Sequence, residues 1–168
     1  RLTAVLFRTW ILSMMALFIS WPLFILIAIA IKLDSRGPVF YCSKRVGENG
    51  DIFRMIKFRS MVTDAEERQE QCVTYDDKGN PIYKTCRDPR ITRVGKFIRR
   101  TSLDELPQIF NVLKGEMSWV GPRPEQPHIA ANYKSWQWQR VSVPPGITGW
   151  WQVSGRSDLP LHLNTQFD

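Results

Sequence analysis

The longest unbroken apolar pattern lies near the start of the chain. Residues 10–31 carry no charge, and at about 1.5 Å per residue a helix of that length would span the ~30 Å hydrocarbon core of a bilayer. So small a chain can hardly cover every face of such a helix, so membrane contact is the stronger reading and a buried core helix the weaker. A cleavable signal peptide also fits less well, because Lys32-Leu33-Asp34 follows instead of a small-residue cleavage site. Pro22 stands near the middle of the run. It lacks an amide hydrogen and clashes with the preceding turn, which predicts a sharp kink, with Ser20 available to satisfy a freed backbone group. Arg1 and Arg8 precede the run, and Lys32, Arg36, Lys44 and Arg45 follow it. Because Lys and Arg favour the cytoplasmic side, basic flanks fit a helix that enters, breaks and returns to the same face as well as they fit an ordinary span.

Beyond the apolar run the pattern shortens. Gly37-Pro38-Val39-Phe40-Tyr41 reads as a turn entering an extended segment, residues 46–51 as a second turn, and 52–59 as a mixed apolar and basic strand, together a two-stranded ribbon. In such a strand Lys57 and Arg59 share a face and can meet an anion together, or lie on a solvated edge. From Asp64 to Asp77 the charge turns acidic; its first part resembles an exposed helix and residues 76–81 a loop. From about Thr92, Val94, Phe97 and Ile98 fall at helical spacing beside Arg93, Lys96, Arg99 and Arg100, an amphipathic helix suited to anionic headgroups or to a phosphate pocket. Leu106, Ile109, Phe110 and Leu113 then repeat at i, i+3, i+4 and i+7 with Gly115 placed to end the helix.

The last third is rich in Pro, Gly and Trp and suits loops better than long helices. Arg123, in Gly121-Pro122-Arg123-Pro124, sits between two prolines that restrict its backbone, and a rigidly presented guanidinium suits a phosphate or a nucleobase. Trp136, Trp138, Trp150 and Trp151 suit either core packing or an interfacial belt. The net charge of +7 and a pI near 9.6 point to anionic partners without choosing among lipid, nucleic acid and a phosphorylated small molecule. Three cysteines, Cys42, Cys72 and Cys86, with no CxxC pair read as free thiols.

The stretch Thr101-Ser102-Leu103-Asp104-Glu105-Leu106-Pro107-Gln108 places two adjacent carboxylates directly after Arg99-Arg100, at what reads as a helix start. That is a place to handle phosphate. Ser102 and Glu105 also have capping-box spacing, and Asp104 there would meet the helix dipole favourably, so on spacing alone capping competes with catalysis.

Six motifs in order carry a resemblance: Pro22-Leu23-Phe24 leading to Ile31-Lys32-Leu33-Asp34-Ser35, then Gly37-Pro38-Val39-Phe40, Lys57-Phe58-Arg59-Ser60-Met61, residues 99–108, Val120-Gly121-Pro122-Arg123-Pro124 and Pro145-Gly146-Ile147-Thr148-Gly149. Together they closely resemble the bacterial sugar transferase family, the monotopic phosphoglycosyl transferases. The resemblance implies transfer of a sugar 1-phosphate from a UDP-sugar to a polyprenyl (undecaprenyl) phosphate with release of UMP. It places that activity at the cytoplasmic face of the bacterial inner membrane, where surface glycan synthesis begins. It implies Mg²⁺ and a covalent phosphosugar on Asp104, with Glu105 as catalytic partner and metal ligand. Lys57, Arg59, Arg99, Pro122, Arg123 and Arg156 are the expected substrate-binding residues. It favours the re-entrant helix, broken at Ser20 and Pro22; where the family commonly has Ser before that proline, this chain has Trp21.

The expected fold class is α+β: mainly helical, with short strands and Pro/Gly-rich loops, associated with the membrane. Residues 1–36 form the membrane helix and 37–168 one catalytic domain, a segment of a longer protein given the missing initiator Met. The expected partners are the UDP-sugar, the polyprenyl phosphate and the membrane, with no nucleic acid; the oligomeric state, a homo-oligomer included, is open. The rival class is a membrane-anchored basic adaptor for anionic lipid or nucleic acid, which the acidic pair and interleaved prolines fit poorly.

Overall fold

The computed structural model describes residues 2–68, 74–75, 81–82 and 88–153. Helices and short strands alternate in an α+β arrangement, opening with α1 (Leu2–Asp34). This helix is long and apolar enough to cross a membrane. Its large side chains are mostly uncovered: Phe18 and Leu33 are each 84% exposed, which a core helix would not tolerate. Pro22 lies inside α1 and the helix continues on both sides of it, so the proline is accommodated within one helix and not by a non-helical gap. A proline leaves the carbonyl four residues back, here that of Phe18, without its amide partner. Contrary to the sequence expectation, the Ser20 hydroxyl goes elsewhere, donating to the Ala16 carbonyl at 2.7 Å.

The chain folds as two compact units, one of residues 1–22, 42–57 and 105–168, the other of 23–41 and 58–104. α1 contributes to both units. In the first unit lie most of β1 (Phe40–Val46) and β2 (Ile52–Phe58), a two-stranded sheet. The connection between these strands is far too short for a parallel crossover, so they form the expected ribbon as a hairpin. A 3-10 stretch, Leu103–Gln108, leads into α3 (Ile109–Leu113), which Gly115 ends with φ +79° as expected. The core of this unit gathers Phe53 and Met55 of β2 with Val112 and Met117, and Trp119 and Ile147 pack against it. The buried face of α3 differs from the sequence pattern: Ile109, Asn111 and Val112 are buried, whereas Leu106, Phe110 and Leu113 are only half-covered. The 3-10 stretch advances three residues per turn and so shifts the register that a continuous α-helix would have kept.

Further along, β5 (Ser118–Val120) and β6 (Gly146–Thr148) pair in parallel, Ser118 opposite Gly146 and Val120 opposite Thr148. Gly121 and Gly146 allow the two backbones to close on each other, since a Cβ on either would strike main-chain atoms of the other segment. Between them come α4 (Pro127–Ala130) and a 3-10 helix, Ser135–Ser142, and after β6 the short α5 (Trp150–Val153). Trp119, on β5, donates its indole N–H to the Ser13 hydroxyl of α1 at 3.1 Å, and Ser13 is fully buried.

In the second unit Phe24, Ile27 and Ile31 form a buried stripe on α1, with Phe24 packed 5.1 Å from Phe58 between ring centres. Asp34 accepts from the Val94 amide and Thr92 from the Gly95 amide, capping α2 (Arg93–Arg100), which begins where its amphipathic pattern predicts. Residues 63–68 form turns instead of the expected exposed helix. The Ala65 carbonyl, which a helix would use internally, accepts from Arg90 at 3.0 Å. Arg90 is itself held by Asp88 in a buried ion pair at 2.7 Å. The short strands β3 (Thr74–Tyr75) and β4 (Pro81–Ile82) pair antiparallel.

Candidate active site

Glu105 is the centre of a three-residue charge cluster in the first unit. Its Oε1 accepts from Lys57 Nζ at 2.7 Å and from Arg123 Nη2 at 3.0 Å. The three side chains are 15%, 18% and 24% exposed for Lys57, Glu105 and Arg123, so the charges interact in a partly desolvated setting where they count for more than on a surface. Burial alone would raise the Glu105 carboxyl; the adjacent Arg123 and Lys57 charges and their hydrogen bonds outweigh it and pull the pKa down to about 2. Within this cluster two cations share one carboxylate and leave one positive charge in excess, which favours a further anion nearby.

Each member is placed by a different local device. Lys57 is the penultimate residue of β2, and that strand is fixed by Asn111 of α3. The Asn111 carboxamide accepts from the Ile56 amide at 3.0 Å and donates to the Arg54 carbonyl at 2.7 Å, a side-chain substitute for a neighbouring strand. Asn111 is fully buried and also donates to Glu116 at 2.6 Å. Glu105 sits in the 3-10 stretch before α3, and its carboxylate faces the two cations instead of its own backbone. Ser102 has φ +59°, not the extended backbone of an N-cap, so the capping-box reading gives way to the charge cluster. Arg123 is carried by a segment whose neighbours are tied down: the Pro122 carbonyl accepts from the Gly146 amide at 2.9 Å and the Glu125 carbonyl from the Val46 amide at 2.9 Å.

The remaining predicted residues fall as follows. Asp104 precedes Glu105 in the same 3-10 stretch and is half-buried. Pro122 adjoins Arg123, and both line a shallow cleft with Pro124, Tyr133 and Arg140. Arg59 lies just past the end of β2 and is buried. Its guanidinium donates to the carbonyls of Ser35 and Arg36 and to the Ser35 hydroxyl, so it fastens the end of α1 instead of facing an open anion site. Arg99 is half-buried on the last turn of α2, where its charge acts on Asp88. Arg156 lies outside the described residues, as do Cys72 and Cys86.

Asn111 and Arg140 escaped the sequence reading. Asn111 was hidden as a lone polar position in an apolar run, and the only signal for it was that a polar residue there must find buried partners. As for metal, no three His, Cys, Asp or Glu side chains come together among the described residues. Adjacent carboxylates fit instead a hard divalent cation of the kind that takes one or two protein oxygens and completes its shell with water and substrate phosphate.

Comparison with known proteins identifies the family. The sequence pattern of the family described as "Bacterial sugar transferase" matches residues 4–168. An undecaprenyl-phosphate glucose phosphotransferase of Komagataeibacter xylinus is 47% identical over 149 residues, covering 85% of this chain and 26% of that protein. An undecaprenyl-phosphate galactose phosphotransferase of Salmonella typhimurium is 44% identical over 160 residues, covering 93% of this chain and 33% of that protein. The exopolysaccharide production protein ExoY of Rhizobium meliloti is 40% identical over 157 residues, covering 91% of this chain and 70% of that protein. The chain thus spans about a third or less of the first two relatives and most of the third.

Proposed function

The chain belongs to the bacterial sugar transferase family, and from that premise we propose that it moves a sugar 1-phosphate from a UDP-sugar to undecaprenyl phosphate, releasing UMP, as a step in surface polysaccharide synthesis. The observation that carries this reading is the Lys57–Glu105–Arg123 cluster directly beside Asp104 in the chain.

An ionised carboxylate needs no base to attack phosphorus. Asp104 forms a bond to the sugar-bearing phosphorus of the donor, and the bond from that phosphorus to the bridging oxygen of the diphosphate breaks, with UMP leaving as the anion. An oxygen of the polyprenyl phosphate then attacks the same phosphorus and returns Asp104 to its free carboxylate. A diphosphate repels an incoming carboxylate, so the cations of Lys57 and Arg123 have the task of neutralising the donor and the charge that develops on UMP. Glu105 orients both cations. Mg²⁺, held by Glu105 and substrate phosphate, would supply further charge neutralisation. Arg99 and Arg156 are further candidates for phosphate contact.

The donor is water-soluble and the acceptor lies in the bilayer, which places the chemistry at headgroup depth on the cytoplasmic face of the inner membrane. An α1 that bends at Pro22 and returns to the same face serves that arrangement. Single cysteines placed near Arg1 and Lys44 test it: accessibility from opposite faces would rule out the re-entrant path.

The decisive experiment uses the protein in membranes with a panel of UDP-sugars, glucose and galactose included because relatives carry both names. Expected are UMP release with one or more donors and phosphosugar label trapped on the wild type. Asp104→Asn should lose both while still entering the membrane. Normal turnover by that variant would remove Asp104 as the nucleophile.

A further inference from the structure

Arg140, on the 3-10 helix Ser135–Ser142, touches neither Glu105 nor Lys57 in any described contact, yet it grips the main chain of Arg123. Its Nη2 donates to the Arg123 carbonyl at 2.8 Å. Its Nη1 donates to the Tyr133 hydroxyl at 2.7 Å, and its guanidinium carbon stands 5.7 Å from the centre of the Tyr133 ring. The Tyr133 ring meets Trp138 edge-on, 5.8 Å between centres. The planar fork of an arginine can hold two acceptors in fixed directions, which a lysine ammonium does not.

This grip fills a specific gap. Arg123 lies between two prolines, which have no amide hydrogen to donate. Two nearby carbonyls, that of Pro122 just before Arg123 and that of Glu125 two residues after it, are taken by main-chain amides of Gly146 and Val46. The Arg123 carbonyl between them is taken by a side chain. The peptide that carries the guanidinium meeting Glu105 is therefore set by Arg140, and through it by Tyr133.

We propose that Arg140 is a positioning residue, a bracket that holds the Pro122-Arg123-Pro124 segment so that the Arg123 guanidinium stays on Glu105 and aimed at the donor phosphate. This deepens the functional reading above and rests on it for its effect on turnover.

The test is a double-mutant cycle on the membrane-embedded protein, with kcat and KM for the UDP-sugar measured for Arg140→Ala, Arg123→Ala and the pair. Arg140→Ala should lower kcat/KM by roughly tenfold or more, and the pair should be no worse than Arg123→Ala alone, because a bracket has nothing to hold once Arg123 is gone. Arg140→Lys should recover only part of the loss. Tyr133→Phe, a change that keeps the ring and removes the hydroxyl, should show a smaller defect of the same kind, which guards against a misfolded Arg140→Ala. Effects that multiply in the pair, or wild-type kinetics in both Arg140→Ala and Tyr133→Phe, would overturn the proposal. A second readout does not depend on turnover: phenylglyoxal modification of individual arginines, read by peptide mass spectrometry. Arg123 should react several-fold faster in Arg140→Ala, with Arg99 as the unchanged reference; an unchanged Arg123 rate overturns the bracket. If the wild type releases no UMP from any donor, the functional reading fails and this second readout still decides the bracket.

Discussion

Lys57 and Glu105 are 48 positions apart in the chain and meet at 2.7 Å. Their contact brings the end of a hairpin strand to the 3-10 stretch that follows the basic pair Arg99-Arg100, and it turns the second carboxylate of the Asp-Glu pair from a helix cap into a counterion. Arg123 completes the arrangement on the same oxygen. Much of what the cluster can do follows from two cations sharing one acceptor.

Removing Lys57 should therefore affect function more than stability. Lys57→Met deletes one of two charges on Glu105 while Arg123 still compensates the carboxylate, so a loss of about 1–3 kcal/mol is expected. UMP release should fall by tenfold or more. Arg123→Met should behave alike. Thermal unfolding and UMP assays on the same preparations separate the two effects; a variant that loses stability but keeps full turnover would make Lys57 structural only.

Acid should weaken the substrate-free, metal-free protein in a defined window. Glu105 titrates at about 2 when folded, against about 4.3 in an unfolded chain. Its contribution to stability is thus complete above about pH 4.3 and is lost as pH falls toward 2. Asp88 shifts in the same direction, chiefly through the side-chain hydrogen bond from Arg90, with burial opposing it. Unfolding midpoints measured across this range should drop steeply for the wild type. They should drop less steeply for Glu105→Gln, from a lower starting value. Equal slopes would show that the ion pairs contribute little.

How far the sequence disclosed this site depends on the kind of residue. Asp104, Glu105 and Arg123 stood out because their local motifs are chemically unusual, and Lys57 because it ends a strand pattern beside other cations. Arg59 looked equivalent to Lys57 by spacing, but β2 stops at Phe58 and alternation no longer governs the next side chain, which is buried against Ser35 and Arg36. The start of α2 near Thr92 was legible from periodicity, whereas the buried stripe of α1 at Phe24, Ile27 and Ile31 was not, because that run is apolar on every side. The buried face of α3 was not, since Pro107 sits in a 3-10 stretch that resets the register. Asn111 and Arg140 act through main-chain groups far away in sequence, and such partners have no local signature.

Asn111→Ala should be among the costlier single changes in the first unit. It leaves the Ile56 amide and the Arg54 carbonyl without their buried partner, a loss of about 2–4 kcal/mol, which lowers the unfolding midpoint by roughly 2–4 °C per kcal/mol in a chain of this size. Asn111→Asp keeps the shape but offers an acceptor where the Arg54 carbonyl needs a donor, so it should rescue little. Thermal scans that place Asn111→Asp near wild type would refute the role given to the side-chain amide.

Gly121→Ala should disturb the site from behind. The added Cβ would meet the Pro144 carbonyl and the Gly146 amide, both main-chain atoms that cannot swing aside. Overpacking of this kind typically costs about 1–3 kcal/mol, and the strain falls one residue before Pro122 and two before Arg123. Expected are a lower unfolding midpoint and reduced UMP release together; wild-type values of both would mean that the β5–β6 contact relaxes freely.

The hydrogen bond from Trp119 to Ser13 joins the first half of α1 to β5, close in sequence to Arg123. Ser13 also donates to the Thr9 carbonyl at 2.8 Å, so its oxygen is both donor and acceptor in a fully buried setting. Ser13→Ala leaves the indole N–H without this acceptor, whereas Trp119→Phe removes the donor and also some packing. The single costs therefore mix several effects, and their coupling is the informative quantity. Ser13→Ala should cost less in a Trp119→Phe background than in the wild type, with a coupling of about 0.5–1.5 kcal/mol in thermal or chemical unfolding. Strict additivity would show that the apolar helix is held on this unit by packing alone.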